Sequence, residues 1–504
     1  MPEFLSSSVQ TQREPAPVRT LPDLPTAIGT WVGVTERGPV DEPHAFASFD
    51  TYQRMYGGLI AGAQVPLGVR QFFLGGGRRA VVVRRLGSGN ATATVTLEDV
   101  GTTDTLKVDA SSPGAWGNNL TVSITAATNG DATRFNLIVK KDGVIVEQWP
   151  NVSMVDAAAD FVKTIVNDAT TGSTYIVVDD LGTNPPAVQA DTPLTTGSDG
   201  AALADADFTG GDNFDVLEAE EITLLAVPDQ PTTAVQTAML AFAEVTKNRE
   251  VHCVLDPPVN SDTTGIRAHR ATLGVSEQGT LYWANVKVPN PSKTIFGSED
   301  EITIAASGAV MGMMARNDGR FSEGPFRQPA GSEDGILIGV TGVERPETKK
   351  KTVRDLVFPE QINPIRVDQR TGAVYVDGAR TLSPSGDFPS TGESRGAGDI
   401  DRTFRVGLDF VRHRNNTEDT RGLVERTMRG ELLERTKNGC FASKKPAEAF
   451  TLDADIPGEG LNDAITRAQK KLYARYGIAT AKPAEFVILL SSQDTRGLQE
   501  ATAG

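Results

Sequence analysis

Cysteine is nearly absent from this chain of 504 residues, which has only Cys253 and Cys440, together with four histidines. Two thiols cannot build the framework of a disulfide-held fold, so burial and hydrogen bonds must hold this one, as suits a reducing cytoplasm. Long apolar runs are missing as well. None approaches the ~18 residues of a membrane-spanning helix, and the opening MPEFLSSSVQTQREPAP has neither the basic start nor the apolar stretch of a signal peptide. Neither membrane insertion nor classical secretion is expected. Positive charge is in deficit, with 49 Lys and Arg against 65 Asp and Glu for a net −16. Broad nucleic-acid binding therefore lacks support, because neutralising phosphates needs local cations.

Catalytic signatures are missing in the same way. There is no G-x-G-x-x-G after a strand, no Gly-Lys pair for a phosphate loop and no G-x-S-x-G elbow. His44, His252, His269 and His413 lie in unrelated segments without metal-ligand spacing, so each reads as a surface or satisfied core histidine. Cys253 sits inside an apolar strand and reads as an inert core thiol. Cys440 follows Gly439 at a helix end, a more exposed position that leaves an intersubunit disulfide open. The acidic clusters Asp179-Asp180, Asp205 to Asp215 and Glu218 to Glu221 do not match a calcium loop and read as solvated faces, as does Lys349-Lys350-Lys351. No metal and no cofactor is expected.

At about 150 residues per domain, the length predicts about three domains. The first twenty-five residues carry Pro2, Pro15, Pro17, Pro22 and Pro25 and few bulky apolar side chains beyond Phe4, Leu5 and Val9. Prolines fix φ and remove donors, so the segment reads as an extended arm, although its composition equally describes a disordered terminus. From Ala27 short β-branched runs alternate with helical patterns: AIGTWVGV, helices near 49–56 and 67–73, and RAVVVRRL. The alternation resumes with EITLLAVPD, a helix over 232–247, VHCVLDPP, a helix over 263–274, LYWANVKVP and a helix over 302–316. Strands and helices in alternation predict a mostly parallel α/β sheet. Beyond Gly335 come GILIGVTGV, GAVYVDGA, helices over 421–437 and 461–476, and the strong strand pattern EFVILLS.

Between the two α/β halves, residues 88–215 are Thr- and Val-rich runs broken by Asn-Gly and Asp-Gly turns, with one helix near 155–166. This segment holds 18 acidic and 5 basic residues and so carries −13 of the charge, leaving −3 for everything else. It reads as an inserted β-rich domain. The expected organisation is α/β and α+β multidomain: an arm (1–26), a mixed α/β sheet domain (27–87 and 216–334) interrupted by the insertion (88–215), an α+β C-terminal domain (335–490) and a second arm (491–504). One basic feature is organised. In 461–476, Leu461, Ala464, Ile465, Ala468 and Leu472 form an apolar stripe at helical spacing, and Arg467, Lys471 and Arg475, with Lys470 beside them, a basic ridge. Such a ridge is either a solvated helix face or a contact for an acidic partner.

Several blocks together resemble the tail sheath proteins of contractile phage tails and related injection machines. They are IGTWVGVTERGPVDEPHAFASFDTYQRMYGG with VRQFFLGGGRRAVVVRRLG, then FTGGDNFDVL with EITLLAVPD, then GPFRQPAGSEDGILIGVTGVE and INPIRVDQRTGAVYVDGARTL, and finally AEAFTLDAD with KPAEFVILLSSQDTR. They occur in the family's order and span most of the chain outside the insertion. The chain departs from the family's pattern in its polar HRNNTEDTRGLVERTMRGELLERTKNG segment and its EFLSSSV start. The resemblance implies a mechanical, non-enzymatic subunit that assembles with itself as hexameric rings stacked helically around an inner tail tube protein. It further implies contact with baseplate and tail terminator proteins, a place in a virion tail assembled in the host cytoplasm, and no direct nucleic-acid contact. Under it, Phe4, Leu5 and Val9 and the run Phe486, Val487, Ile488, Leu489 and Leu490 are candidate inter-subunit strands, and Arg467, Lys470, Lys471 and Arg475 candidate tube contacts. The acidic insertion is expected to face outward, since like charges pressed together at a packed interface would oppose compaction. An α/β enzyme with a non-contiguous site, or an acidic adhesin using the insertion, are the other readings.

Overall fold

The computed structural model describes residues 21–209 and 214–491. Phe4, Leu5 and Val9, and the terminal arm beyond residue 491, lie outside them. The chain divides into two compact units, Met1–Arg414 and Asn415–Gly504.

The first unit begins with β1 (Ile28–Gly33), β2 (Pro43–Phe46), α1 (Phe49–Tyr56), α2 (Val65–Gly75) and β3 (Arg79–Arg84). The insertion follows, with β4 (Thr94–Glu98), β5 (Asp104–Ala110), β6 (Leu120–Ala126), β7 (Arg134–Lys141), β8 (Val144–Ser153), α3 (Val162–Val166), β9 (Ile176–Asp180) and β10 (Gln189–Pro193). It closes near residue 200 and not at the expected 215, because α4 (Ala206–Thr209) and Phe214 pack into the core of the main sheet. Then come β11 (Leu224–Ala226), α5 (Thr233–Ala241), β12 (His252–Leu255), α6 (Thr263–Thr272), β13 (Gly279–Trp283), β14 (Val286–Pro289), α7 (Lys293–Phe296), β15 (Glu301–Ile304) and α8 (Ser307–Arg320). The unit closes with β16 (Gly342–Val343), α9 (Lys351–Val357), β17 (Ile362–Val367), β18 (Val374–Val376) and α10 (Thr391–Gly407).

Its main sheet has eight strands in the order β18-β17-β13-β12-β11-β1-β3-β2. Neighbours from β17 through β3 pair in parallel, and the outer strands β18 and β2 pair antiparallel. Alternation along β1 sends Trp31 to a core with α2 and α8, and Ile28 and Val32 to a second core with α5. Burial on both faces explains why these strands read as unbroken apolar runs. LYWANVKVP divides, because Leu281 pairs with Ile362 in the main sheet while Val286 turns to pair with Ile304 and Val343. Residues 302–316 likewise divide between β15 and α8, and of GILIGVTGV only Gly342–Val343 is a strand.

The insertion packs two sheets, β10-β6-β7-β8 and β4-β5-β9, around a core of its own. It is clamped to the main sheet by buried arginines. Arg37 stacks 4.1 Å from the ring centre of Tyr175 and donates to Thr174 O. Arg84, with no exposed surface, donates to Gly38 O and Pro113 O at 2.9 and 2.8 Å. Burial lowers Arg84 to about 10.

The second unit contains α11 (Glu418–Asn438), α12 (Pro446–Ala449), β19 (Phe450–Asp453), α13 (Ala464–Ala468) and β20 (Arg475–Ile478). The boundary between compact units therefore falls after Arg414, where the sequence placed a domain start near Gly335. Long-range pairing with β13 draws β17, and with it β18, into the main sheet.

Candidate functional site

In the second unit, α11 starts at Thr417, whose hydroxyl accepts from Thr420 N, and stops at Gly439, which holds φ +86°. Its Val424, Met428, Leu432 and Thr436 recur every four residues and are buried. Against it lies a sheet of two strands, β19 and β20, paired antiparallel from Phe450↔Ile478 to Asp453↔Arg475. Among the described residues no third strand joins this sheet, and a sheet edge is where a further strand can be added.

The loop joining these strands is built around side chains. Asp455 accepts from the backbone N–H groups of Glu459, Gly460 and Asn462, and those bonds hold its carboxyl below the usual range. Asn462 is fully buried. It donates to Ala454 O and Tyr473 O and accepts from Tyr473 N at 2.7 Å. Asp463 caps α13 through Thr466 N at 2.8 Å and is likewise held low. Sequence reasoning missed this frame, although an Asx turn at an Asp preceding Pro-Gly-x-Gly was its available signal.

The frame corrects the helix expected over 461–476. Only 464–468 are helical, Lys470 takes a left-handed φ of +60°, and Arg475 opens β20. Pairing of 475–478 with β19 and the tether from Asn462 to Tyr473 outweigh local periodicity. The apolar stripe is not a buried face either, since Ala464 and Ala468 are exposed and Ile465 is 68% exposed. Arg467 does not belong to a ridge: it is half-buried and donates to Gly458 O and Asn462 O at 3.0 and 2.8 Å, closing the loop. Lys470, Lys471 and Arg475 are exposed, the two lysines between α13 and β20 and Arg475 at the first position of that strand. Further along, Phe486, Val487, Ile488, Leu489 and Leu490 are 78–96% exposed and lie in no strand of this chain. Cys440 corrects a second expectation, being only 2% exposed.

The carboxyl ends of parallel strands are where α/β folds hold ligands. Past β1 and β3, Val34 to Glu36 and Arg85 to Gly87 line an open cavity of about 610 Å³ shared with Trp116, whereas past β11 and β12 buried acids bond the backbone. Asp229, beyond β11, accepts from Gln64 N and Val34 N at 2.5 and 2.8 Å. Asp256, beyond β12, accepts from Ser307 N at 2.8 Å at the start of α8. Burial pushes both up to about 6. His252 is a buried partner of Thr280 Oγ1 at 2.8 Å, and burial lowers it to about 3. Cys253 is buried, which pushes its thiol up. Among the described residues no group of His, Cys, Asp or Glu is placed to hold a metal ion, and no helix is long and apolar enough to cross a membrane.

No family model matches the sequence, and no curated protein sequence matches it. Solved structures do match. A sheath tail protein from Desulfitobacterium hafniense aligns with a TM-score of 0.59 at 16% identity, over 90% of this chain and 94% of that one. A sheath tail protein from Listeria innocua gives 0.62 at 15% identity, over 90% and 95%. The sheath complex of the extracellular contractile injection system PVC, in its contracted state, gives 0.60 at 14% identity, over 99% and 100%. The chain has a tail sheath fold. In this sheath fold the two-stranded sheet, the exposed cations at and before β20 and the apolar run at 486–490 all belong to the second unit. At such identities the likeness extends to the backbone arrangement alone, so the roles of these residues rest on this chain's own chemistry.

Proposed function

We propose that this chain is the structural and mechanical sheath subunit of a contractile injection machine, polymerising as stacked hexameric rings around an inner tube and contracting to drive the tube through a target envelope. The observation that carries this reading is the pairing of a sheath fold with a two-stranded sheet and an exposed apolar run in one unit. Five consecutive apolar residues held in water are unfavourable unless a partner covers them. As a strand added to β19 or β20 of a neighbour, Phe486 to Leu490 gain main-chain hydrogen bonds that persist while subunits rotate. Phe4, Leu5 and Val9 are proposed for the same role from the other terminus. The energy for contraction comes from interfaces buried only in the contracted state, so no nucleotide enters the cycle.

Lys470, Lys471 and Arg475 supply a weak grip on the tube protein, since exposed ion pairs are each worth about 0–1 kcal/mol. Arg467 contributes by shaping the loop that presents them. Baseplate and terminator proteins bind the ends of the stack, and the insertion faces outward. Negative-stain microscopy of the overexpressed protein tests the reading: hollow ring-stacked cylinders are expected, and discrete small oligomers at high concentration would overturn it. Charge reversal at Lys470, Lys471 and Arg475 is expected to weaken assembly on isolated tubes while sparing tube-free cylinders. Equal assembly of variant and wild type on tubes would remove the grip from the proposal.

A further inference from the structure

The prolines before β1 divide into two groups, and the second group is not a free tether. Residues 21–26 lie along α10. A Cβ at Gly407, near the end of that helix, would stand 3.2 Å from Leu21 Cγ and 3.3 Å from Pro22 Cδ. Arg402 Nη2 donates to Pro25 O at 2.6 Å. Arg395 Nη2 reaches Thr26 O at 3.5 Å and pairs with Asp318 of α8 at 2.6 Å, where both side chains are 3% exposed. The Thr26 side chain also hydrogen-bonds Asp318. Two residues later, Ile28 N donates to Thr223 Oγ1 at 2.7 Å and the segment becomes β1.

The order of these contacts is informative. Ascending the segment from 21 to 26 means descending the helix from 407 through 402 to 395. Twelve helical residues span about 18 Å, and five extended residues about 17 Å. The two lengths agree, so the segment is drawn out almost fully. Arg395 and Arg402 are seven residues apart and share one face of α10. The carbonyls they hold belong to Pro25 and Thr26. Prolines suit this place, because fixed φ favours the extended form and the missing N–H removes a donor that would otherwise need a partner.

We propose that residues 21–26 are a permanent strap that fixes the root of the N-terminal arm to α10, so that any pivoting of the arm during sheath action occurs before Leu21. This rests on the sheath reading. Only Pro2, Pro15 and Pro17 remain as candidate hinge prolines, and tension on the arm enters the main sheet body through Arg402 and the Arg395–Asp318 pair.

The test is the full-length double variant Leu21→Cys/Gly407→Cys. The new Sγ at 21 takes the place of Leu21 Cγ, at a distance from the 407 Cβ that suits a disulfide, and the native thiols Cys253 and Cys440 are buried. The pair is expected to oxidise readily in the unassembled subunit, leaving two free thiols after denaturation. The oxidised protein should assemble and contract like the reduced one. Failure to oxidise would overturn the strap, and so would sheaths that contract only after reduction. A second measurement avoids the crosslink: maleimide labelling of single Leu21→Cys should proceed at the same rate in extended and contracted sheaths, whereas a tenfold rise on contraction would show that the strap peels. If wild type forms no cylinders, the sheath reading fails on its own, while oxidation of the subunit still reports the strap.

Discussion

Buried polar side chains in this chain act by completing the backbone. Asp229 and Asp256 receive N–H groups at the ends of parallel strands, and Asn462 ties both ends of a loop together. The two acids have a pH consequence. Their folded pKa of about 6 lies above the usual value of 3.8. The native state therefore holds more protons than the unfolded chain between those limits, and their contribution to stability is present below pH 3.8 and lost as pH rises through 6. Asp256→Asn keeps an oxygen for Ser307 N and removes the ionisation. Its stability advantage over wild type, from urea unfolding, should shrink between pH 7.5 and 5, with a slope of at most about 1.4 kcal/mol per pH unit. An advantage independent of pH would contradict a raised Asp256. Asn462→Ala leaves Tyr473 N and two carbonyls without their partner, and a loss of about 1–3 kcal/mol is expected in denaturant melts.

At the scale of elements, glycine placement separates packing from propensity. Helices α2 and α8 meet backbone to backbone, and a Cβ at Gly312 would come within 2.8 Å of Phe72 O and 3.0 Å of Gly75 Cα. Gly430, inside α11, is exposed and has nothing within 4 Å of its Cβ position. Gly430→Ala should therefore stabilise by about 0.8–1 kcal/mol through helix propensity. Gly312→Ala should destabilise by about 1–3 kcal/mol through overpacking, despite the same gain in propensity. Thermal unfolding of both variants checks the pair, and stabilisation by both would mean that the helices do not approach this closely. The same competition decided 461–476. Apolar residues three and four apart looked helical there, yet β pairing at Arg475 and the buried Asn462 left one short helix, a loop and a strand. Periodicity reports a local preference, and it failed where a distant strand supplied stronger pairing.

For the whole molecule, residues 88–200 hold 14 acidic and 5 basic side chains, so −9 of the charge of −16 lies in the insertion. That body has its own core, and its ends meet where Gly87 N donates to Asp199 O and Ala201 N to Ser88 O. It is nonetheless bound to the main sheet through Arg37, Arg84 and an ion pair between Lys141 and Glu36. A chain in which residues 88–200 are replaced by a short linker is expected to fold and assemble, with a lowered melting temperature because Arg37 loses Tyr175 and Thr174 and Arg84 loses Pro113 O. An insoluble product would show that the insertion is needed to build the sheet, and an unchanged melting temperature would show that the arginine clamps add nothing.

Composition and pattern alone determined the α/β alternation, the β-rich character of the acidic insertion and the positions of α1, α2, β1 and β3, because these follow from local propensity and burial on both strand faces. They put the insertion's far boundary at 215, whereas Phe208 and Phe214 pack in the main-sheet core. The expectation of an inert core thiol at Cys253 also followed from the apolar run around it. Tertiary structure decided the remainder. Non-local pairing moved β17 and β18 into the main sheet, converted the basic ridge into a loop with Arg467 turned inward, and buried Cys440. It also laid Pro22 and Pro25 along α10, where two arginines hold the chain. Each of these depends on residues far apart in sequence, whose attraction no local window can register.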